Sequence, residues 1–345
     1  MAFRERIQNV ITQLKQTGII LGGILIAFLF YSTMSGIILS FFYDPAPEKA
    51  YESMQSIVGI PLLAFTRNFH YWSGDLLLFV LFLHVTRVAL TKPVGSARRY
   101  AWWFGTGLLF LVGAEMLIGT FLRGDQEAYE AYSHFFVGTN AIVANYFPAI
   151  TILTDFFSQN SALFRFFILH TVLLPLGIVF LIIAHGLFAP TFRAMLMPWR
   201  KVSDSALRGK IVGAKELFTY SSVRKIVILS AFSFIIISIL SVAVPAPLYP
   251  SPFVGLEVTK PPWWLLWIVA LENIWGLTAI LLAPPALFLI FAIIPFFTKD
   301  RAGADLGVYI YLTALAVVVL LSFWAANAPQ VAHTEHYNQA AGSAH

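Results

Sequence analysis

Two matched pairs of histidines stand inside apolar stretches of this 345-residue chain: His70 and His84, 14 residues apart, and His170 and His185, 15 apart. In an α-helix, at ~100° per residue, those steps return each pair to within about 40–60° of one face. At ~1.5 Å of rise per residue, the members of a pair lie about 21 Å apart along the axis. Two such helices packed side by side would offer two facing His–His couples stacked across a membrane. That is the chemistry of bis-histidine haem iron, one haem near each surface, and it makes a wire for electrons. The competing reading is hydrogen bonding between helices. Ionisable side chains within a bilayer are costly, though, and four with matched spacing point to function.

The elements that must position these residues are membrane helices. Of the residues, 59% are hydrophobic and only 11% charged, against about 25% charged in soluble proteins. Apolar runs long enough for ~30 Å of hydrocarbon recur. They place seven spans at about 18–43, 70–91, 102–122, 164–189, 224–245, 276–297 and 306–326. The fold class is therefore an all-α polytopic membrane protein. The N-terminal stretch is polar and basic and lacks the pattern of a cleavable signal peptide.

There is no cysteine, so any haem is held without a covalent tether, and any iron–sulfur cluster belongs to another subunit. The net charge of +5 does not indicate nucleic acid, because the basic residues fall mostly on one side of the spans. With the N-terminus cytoplasmic, that side holds Lys15, Arg98, Arg99, Arg193, Arg200 and Arg224 among others, while Lys49, Arg67, Arg123, Arg165 and Lys260 fall opposite. This is the positive-inside signature of the cytoplasmic membrane.

The organisation is read as a four-span core over 1–200, a basic linker over 201–223, a three-span half over 224–330 and a polar outer tail over 331–345. An outer loop at 123–160 is expected to cap a membrane-embedded site with small helices, and 245–262 is proline-rich and non-helical. Glycines repeat the histidine spacing: Gly22 and Gly36 in the first span, Gly105 and Gly119 in the third. A flat macrocycle edge needs a helix face without side chains; ordinary small-residue packing is the alternative. Glu115, mid-span between the second pair of glycines, is read either as a proton-relay or haem-edge group or as an interhelical hydrogen-bonder, and Asp75 similarly. Glu272, in the aromatic stretch after the prolines, is expected on a solvated face.

The segments GGILIAFLFYSTMSGIILSFFYDP, RNFHYWSGDLLLFVLFLHVTRVALT, FGTGLLFLVGAEMLIGTFLRGDQ and FRFFILHTVLLPLGIVFLIIAHG resemble the four-helix core of cytochrome b from quinol-oxidising bc and bf complexes. The 15-residue step resembles the bf type, and the C-terminal half is similar to the three-helix quinol-site subunit of that family. The resemblance implies two non-covalent b-type haems, an outer one on His70 and His170 and an inner one on His84 and His185. It implies that Arg67 and Arg87 pair with haem propionates, and that quinone is the substrate. It implies a redox enzyme subunit active only within its complex, with a Rieske-type iron–sulfur subunit or a multihaem cytochrome c as outer partner, and a homodimeric assembly. Two motifs depart from the family. Its Pro-Glu-Trp-Tyr reads Pro261, Pro262, Trp263, Trp264 here, and its Pro-Trp-Asp-Gln reads Arg123, Gly124, Asp125, Gln126. The usual proton-accepting carboxylate is missing, and His134 or Glu257 is expected to replace it. The alternative is a non-bifurcating conduit linking an outer oxidoreductase to the quinone pool.

Overall fold

The computed structural model describes residues 18–91, 98–138, 140, 143, 162–188, 220–253, 257–298 and 305–328. The basic linker, the polar tail with its histidines, Lys15 and Arg193 lie outside them. Among the described residues the secondary structure is helical, with no strand. In chain order the helices are α1 (Gly18–Ser40), α2 (Pro47–Gly59), α3 (Pro61–Thr91), α4 (Arg99–Phe121), α5 (Gln126–Tyr132), α6 (Ala162–Phe188), α7 (Tyr220–Ala243), α8 (Leu266–Trp275), α9 (Thr278–Phe297) and α10 (Leu306–Asn327). Seven of them, α1, α3, α4, α6, α7, α9 and α10, are long and apolar enough to cross a membrane. Large side chains such as Phe30, Leu62, Val242 and Phe323 are exposed along them, as a lipid-facing surface requires.

The largest differences from the sequence expectation lie at α3 and α2. Helix α3 begins at Pro61, nine residues before the expected start at 70. The added turns carry Arg67 and Asn68, polar residues that an apolar-run criterion discards and that are nevertheless buried. Helix α2 lies outside the apolar runs altogether; it is polar on one face and buries only Ala50 and Ile57.

The core is shared between the two halves. Leu77, Leu78, Leu81 and Val85 of α3 and Trp102, Leu109 and Val112 of α4 pack with Phe291 and Ile294 of α9 and Tyr311 of α10. Backbone polar groups at membrane depth must be satisfied internally, and prolines free some of them. Pro295 has no N–H for the carbonyl four residues back; Trp102 Nε1 donates to that carbonyl, Phe291 O, at 2.7 Å. Pro245 likewise leaves Ser241 O, which accepts from Asn68 Nδ2 at 2.8 Å. Beyond it, Trp72 donates to Val244 O at 2.8 Å, and Arg67 to Ala246 O at 3.0 Å and Pro247 O at 2.5 Å. The proline-rich segment is thus fastened to α3 by side chains.

Helix α6 contains one wide turn, Leu169–Leu173, in which Leu174 N donates to Leu169 O. Such π-type turns take one residue more than an α-turn. Pro175 follows immediately and cannot make the ordinary i→i−4 bond. The extra residue lies between His170 and His185, so their 15-residue step becomes geometrically equivalent to the 14-residue step on α3.

Candidate functional site: facing histidines and a capped carboxylate pocket

His70 on α3 and His170 in the wide turn of α6 face each other, with ring centroids 6.0 Å apart and planes crossing at 82°. His70 Nδ1 lies 2.9 Å from Ser32 O and 3.3 Å from Ser35 Oγ on α1. His170 Nδ1 lies 3.1 Å from Glu115 O on α4. A carbonyl only accepts, so Nδ1 carries the proton on both rings and Nε2 is left with its lone pair, the form a metal ligand requires. The second pair lies 14 residues further along α3 and 15 further along α6. His84 is half-buried on α3, and His185 Nδ1 lies 2.8 Å from Ala101 O on α4.

These residues fit a haem. A bond of about 2 Å from iron to each Nε2, and about 1 Å from each nitrogen to its ring centre, put two axial imidazole centroids about 6 Å apart. Among the described residues no group of three metal-ligating side chains converges. Two imidazoles alone would leave a bare ion under-coordinated, whereas a haem would bring the remaining ligands with it.

The glycines explain how the rings fit. A Cβ on Gly36 would lie 2.9 Å from His70 Cε1, one on Gly119 2.8 Å from His170 Cε1, and one on Gly105 3.2 Å from His185 Cε1. Three of the four spaced glycines therefore clear a histidine ring; at Gly22 a Cβ would meet nothing within 4 Å. Arg87 is buried, and its guanidinium lies directly over Gly18. Arg67 is engaged by the carbonyls of Ala246 and Pro247.

At the end of α4 that carries Gly119, the chain turns sharply. Gly124 has φ +63°, and any Cβ there would crowd Tyr51 N and Ala50. Asp125 then caps α5, accepting from Ala128 N at 3.0 Å, and also accepts from Tyr249 N at 3.0 Å. Arg123 pairs with Glu127 at 2.6 Å and Asp125 at 3.2 Å. Gln126 Oε1 accepts from Phe253 N at 2.5 Å. Glu130 accepts from Val258 N at 2.8 Å, Thr259 N at 3.1 Å and the Thr259 hydroxyl. The two residues retained from the family's motif, Asp125 and Gln126, thus latch the outer loop onto the proline-rich segment.

That latch closes a pocket lined by His134, Glu257, Lys260, Pro262, Leu265 and Glu272 among others. His134 sits in a second wide turn, Ser133–Gly138. Its Nδ1 lies 2.6 Å from Glu272 Oε1, and its Nε2 3.4 Å from Glu257 Oε1. Burial disfavours a charged ring, but hydrogen bonds and charge from Glu257 and Glu272 outweigh it and raise the pKa of His134 to about 10. His134 therefore holds a proton at neutral pH and is not itself a free acceptor. Lys260 Nζ turns away to cap α10, donating to Ala326 O at 2.8 Å and Ala328 O at 3.2 Å.

Glu272 corrects the sequence expectation. It is 1% exposed rather than on a solvated face. Its Oε2 is buried without a hydrogen-bond partner among the described residues. Helix α8 turns this carboxylate inward, and Ile268 and Leu265 on the same helix approach pack with Leu117 of α4 and Phe135. No local signal marks it, because its partner His134 is 138 residues away. Asp75 accepts from Trp263 Nε1 at 3.1 Å, which ties α3 to the altered motif. Glu115 Oε1 lies 3.1 Å from His170 Nδ1.

The family model for Cytochrome b/b6/petB matches residues 8–192, more than half of the chain. The chain is similar to cytochrome b6 of Heliomicrobium gestii, 30% identical over 172 residues that cover 48% of this chain and 78% of the relative. It is also similar to cytochrome b6 of Prochlorococcus marinus, 29% identical over 177 residues with the same coverage. A solved structure described as a hyperthermophilic respiratory Complex III shares the fold with a TM-score of 0.69 at 15% identity, covering 94% of this chain and 88% of that one. The chain is an integral membrane haem protein of electron transport and belongs to the cytochrome b/b6 family.

Proposed function

We propose that the chain is the dihaem membrane subunit of a quinol oxidoreductase complex and oxidises quinol in the pocket formed by His134, Glu257 and Glu272. His70 and His170 hold the outer haem and His84 and His185 the inner one. When bound, the haem irons supply one-electron relays between the two membrane surfaces. Residues 1–200 form the haem core, 224–330 the quinol-site half, and the N-terminus is cytoplasmic. An outer Rieske-type iron–sulfur subunit or cytochrome c takes the other electron, in a homodimeric assembly.

The observation that carries the reading is a buried carboxylate with a free oxygen inside a pocket at the His170 end of the bundle. Glu272 Oε2 is positioned as the acceptor for a quinol hydroxyl proton, while Oε1 stays on His134. Protonated His134 holds Glu257 and Glu272 side by side, and Glu257, the more exposed of the two acids, passes the proton toward water. The apolar wall of Leu265, Ile268 and Ile280 suits a quinone ring. The carboxylate missing from positions 261–264 is thus supplied from α8, which favours quinol oxidation over the conduit alternative. Glu272→Gln in the intact complex is expected to lower the turnover of quinol oxidation by about 10²-fold with the b-type spectrum unchanged. Unchanged turnover would overturn the assignment.

A further inference from the structure

Pro261 and Pro262 carry no backbone N–H, so the main chain of the altered motif cannot be fastened by its own donors at these two positions. Side chains on either side hold it instead. Lys260 reaches the carbonyls at the end of α10, Ala326 O at 2.8 Å and Ala328 O at 3.2 Å. Trp263 reaches α3. Its Nε1 donates to Asp75 Oδ2 at 3.1 Å, and its ring meets Phe82 edge-on with centroids 6.5 Å apart. Asp75 and Phe82 stand seven residues apart, two turns along one face of the helix. Trp263 is 41% exposed, so packing alone does not hold it.

The stretch fastened in this way is a wall of the carboxylate pocket. Pro261, Pro262, Leu265 and Leu266 line it. Helix α8 starts at Leu266 and brings Glu272 to His134. Trp263 therefore stands at the entry to the element that delivers the buried carboxylate, and its partner stands on α3, five residues beyond His70. A carboxyl group within a membrane span is costly and marks a functional position. The bond to Trp263 asks only for an acceptor oxygen, which Asp75 offers whether it is ionised or protonated.

We propose that Asp75 is a positioning residue for the quinol pocket. By holding Trp263 it fixes the wall at 261–266 and the start of α8 against the helix that bears His70, and so sets the fit of the quinol ring. This rests on the quinol reading of the pocket given above. Loss of the bond loosens the wall without touching Glu272, His134 or the paired histidines, so it weakens quinol binding more than it slows the chemistry.

Steady-state quinol oxidation by the intact complex tests this, with decylubiquinol and menadiol as electron donors. Wild type is compared with Asp75→Leu, Asp75→Asn, Trp263→Phe and the double variant Asp75→Leu/Trp263→Phe. Asp75→Leu and Trp263→Phe are each expected to raise KM about tenfold, the loss of roughly one hydrogen bond. The kcat is expected to stay within about twofold of wild type, with the reduced-minus-oxidised spectrum unchanged. The double variant is expected to be no worse than either single one, because both remove the same bond. Asp75→Asn keeps an acceptor oxygen and is expected to hold the wild-type KM. A wild-type KM in Asp75→Leu, additive effects in the double variant, or an Asp75→Asn as impaired as Asp75→Leu would each overturn the proposal. If Asp75→Leu does not assemble, Trp263→Phe decides: a raised KM supports the proposal and a wild-type KM overturns it. Glu272→Gln, assayed alongside, keeps the two readings apart: unchanged turnover in that variant overturns the quinol reading of the pocket, whereas an unmoved KM in the Asp75 and Trp263 variants overturns the positioning role alone.

Discussion

Gly36, Gly105 and Gly119 sit against the rings of His70, His185 and His170, so each is a condition on where an imidazole can stand. A helix backbone cannot yield by half an ångström as a flexible side chain can, and overpacking at such a contact displaces one of the two partners. Gly119→Ala places a methyl 2.8 Å from His170 Cε1 and is expected to reduce the haem content of the purified protein by about half, measured as haem per chain. Full content would show that the ring relaxes without losing its metal. The histidines and glycines were legible in the sequence because helical periodicity brings equal spacings to equal faces. Glu272 was not, since its burial depends on a histidine on a distant loop. Glu115 was only half legible: its depth in the span could be read, its contact with His170 could not.

At the scale of elements, the irregular segments do the positioning. The wide turn at Leu169–Leu173 absorbs the one-residue difference between the histidine pairs. Its existence could have been suspected from the unequal spacing and Pro175, but apolar patterning alone does not separate a wide turn from an α-turn. The proline-rich segment is held by Arg67, Asn68 and Trp72 from one side and by Asp125, Gln126 and Glu130 from the other. The sequence read that segment correctly as non-helical, and placed small helices in the outer loop, but could not supply the partners. The bridge between the loop and α8 is His134. A histidine whose folded pKa is raised from 6.5 to about 10 contributes stability that is complete below about pH 6.5, declines as pH rises and is gone above about pH 10. The difference in Tm between wild type and His134→Gln is therefore expected to shrink steadily across that window. A difference that stays constant would mean that the charge of His134 does not hold the loop.

For the whole molecule, the seven spans followed from composition and apolar length, and the family from the histidine frame. What composition could not reveal is how closely the two halves are joined. Trp102 bonds to a carbonyl freed by Pro295, Tyr311 is fully buried with its hydroxyl 2.6 Å from Thr86 Oγ1, and Tyr31 donates to Ser230 O at 2.9 Å. The haem core and the C-terminal half share one interior, so the carboxylate pocket is held in fixed relation to the facing histidines. Whether these histidines form two complete axial pairs is read from the haem-to-protein ratio of the purified wild-type chain together with its reduced-minus-oxidised spectrum. Two non-covalent b-type haems per chain are expected; one haem, or no b-type band, would overturn the pairing of His70 with His170 and His84 with His185.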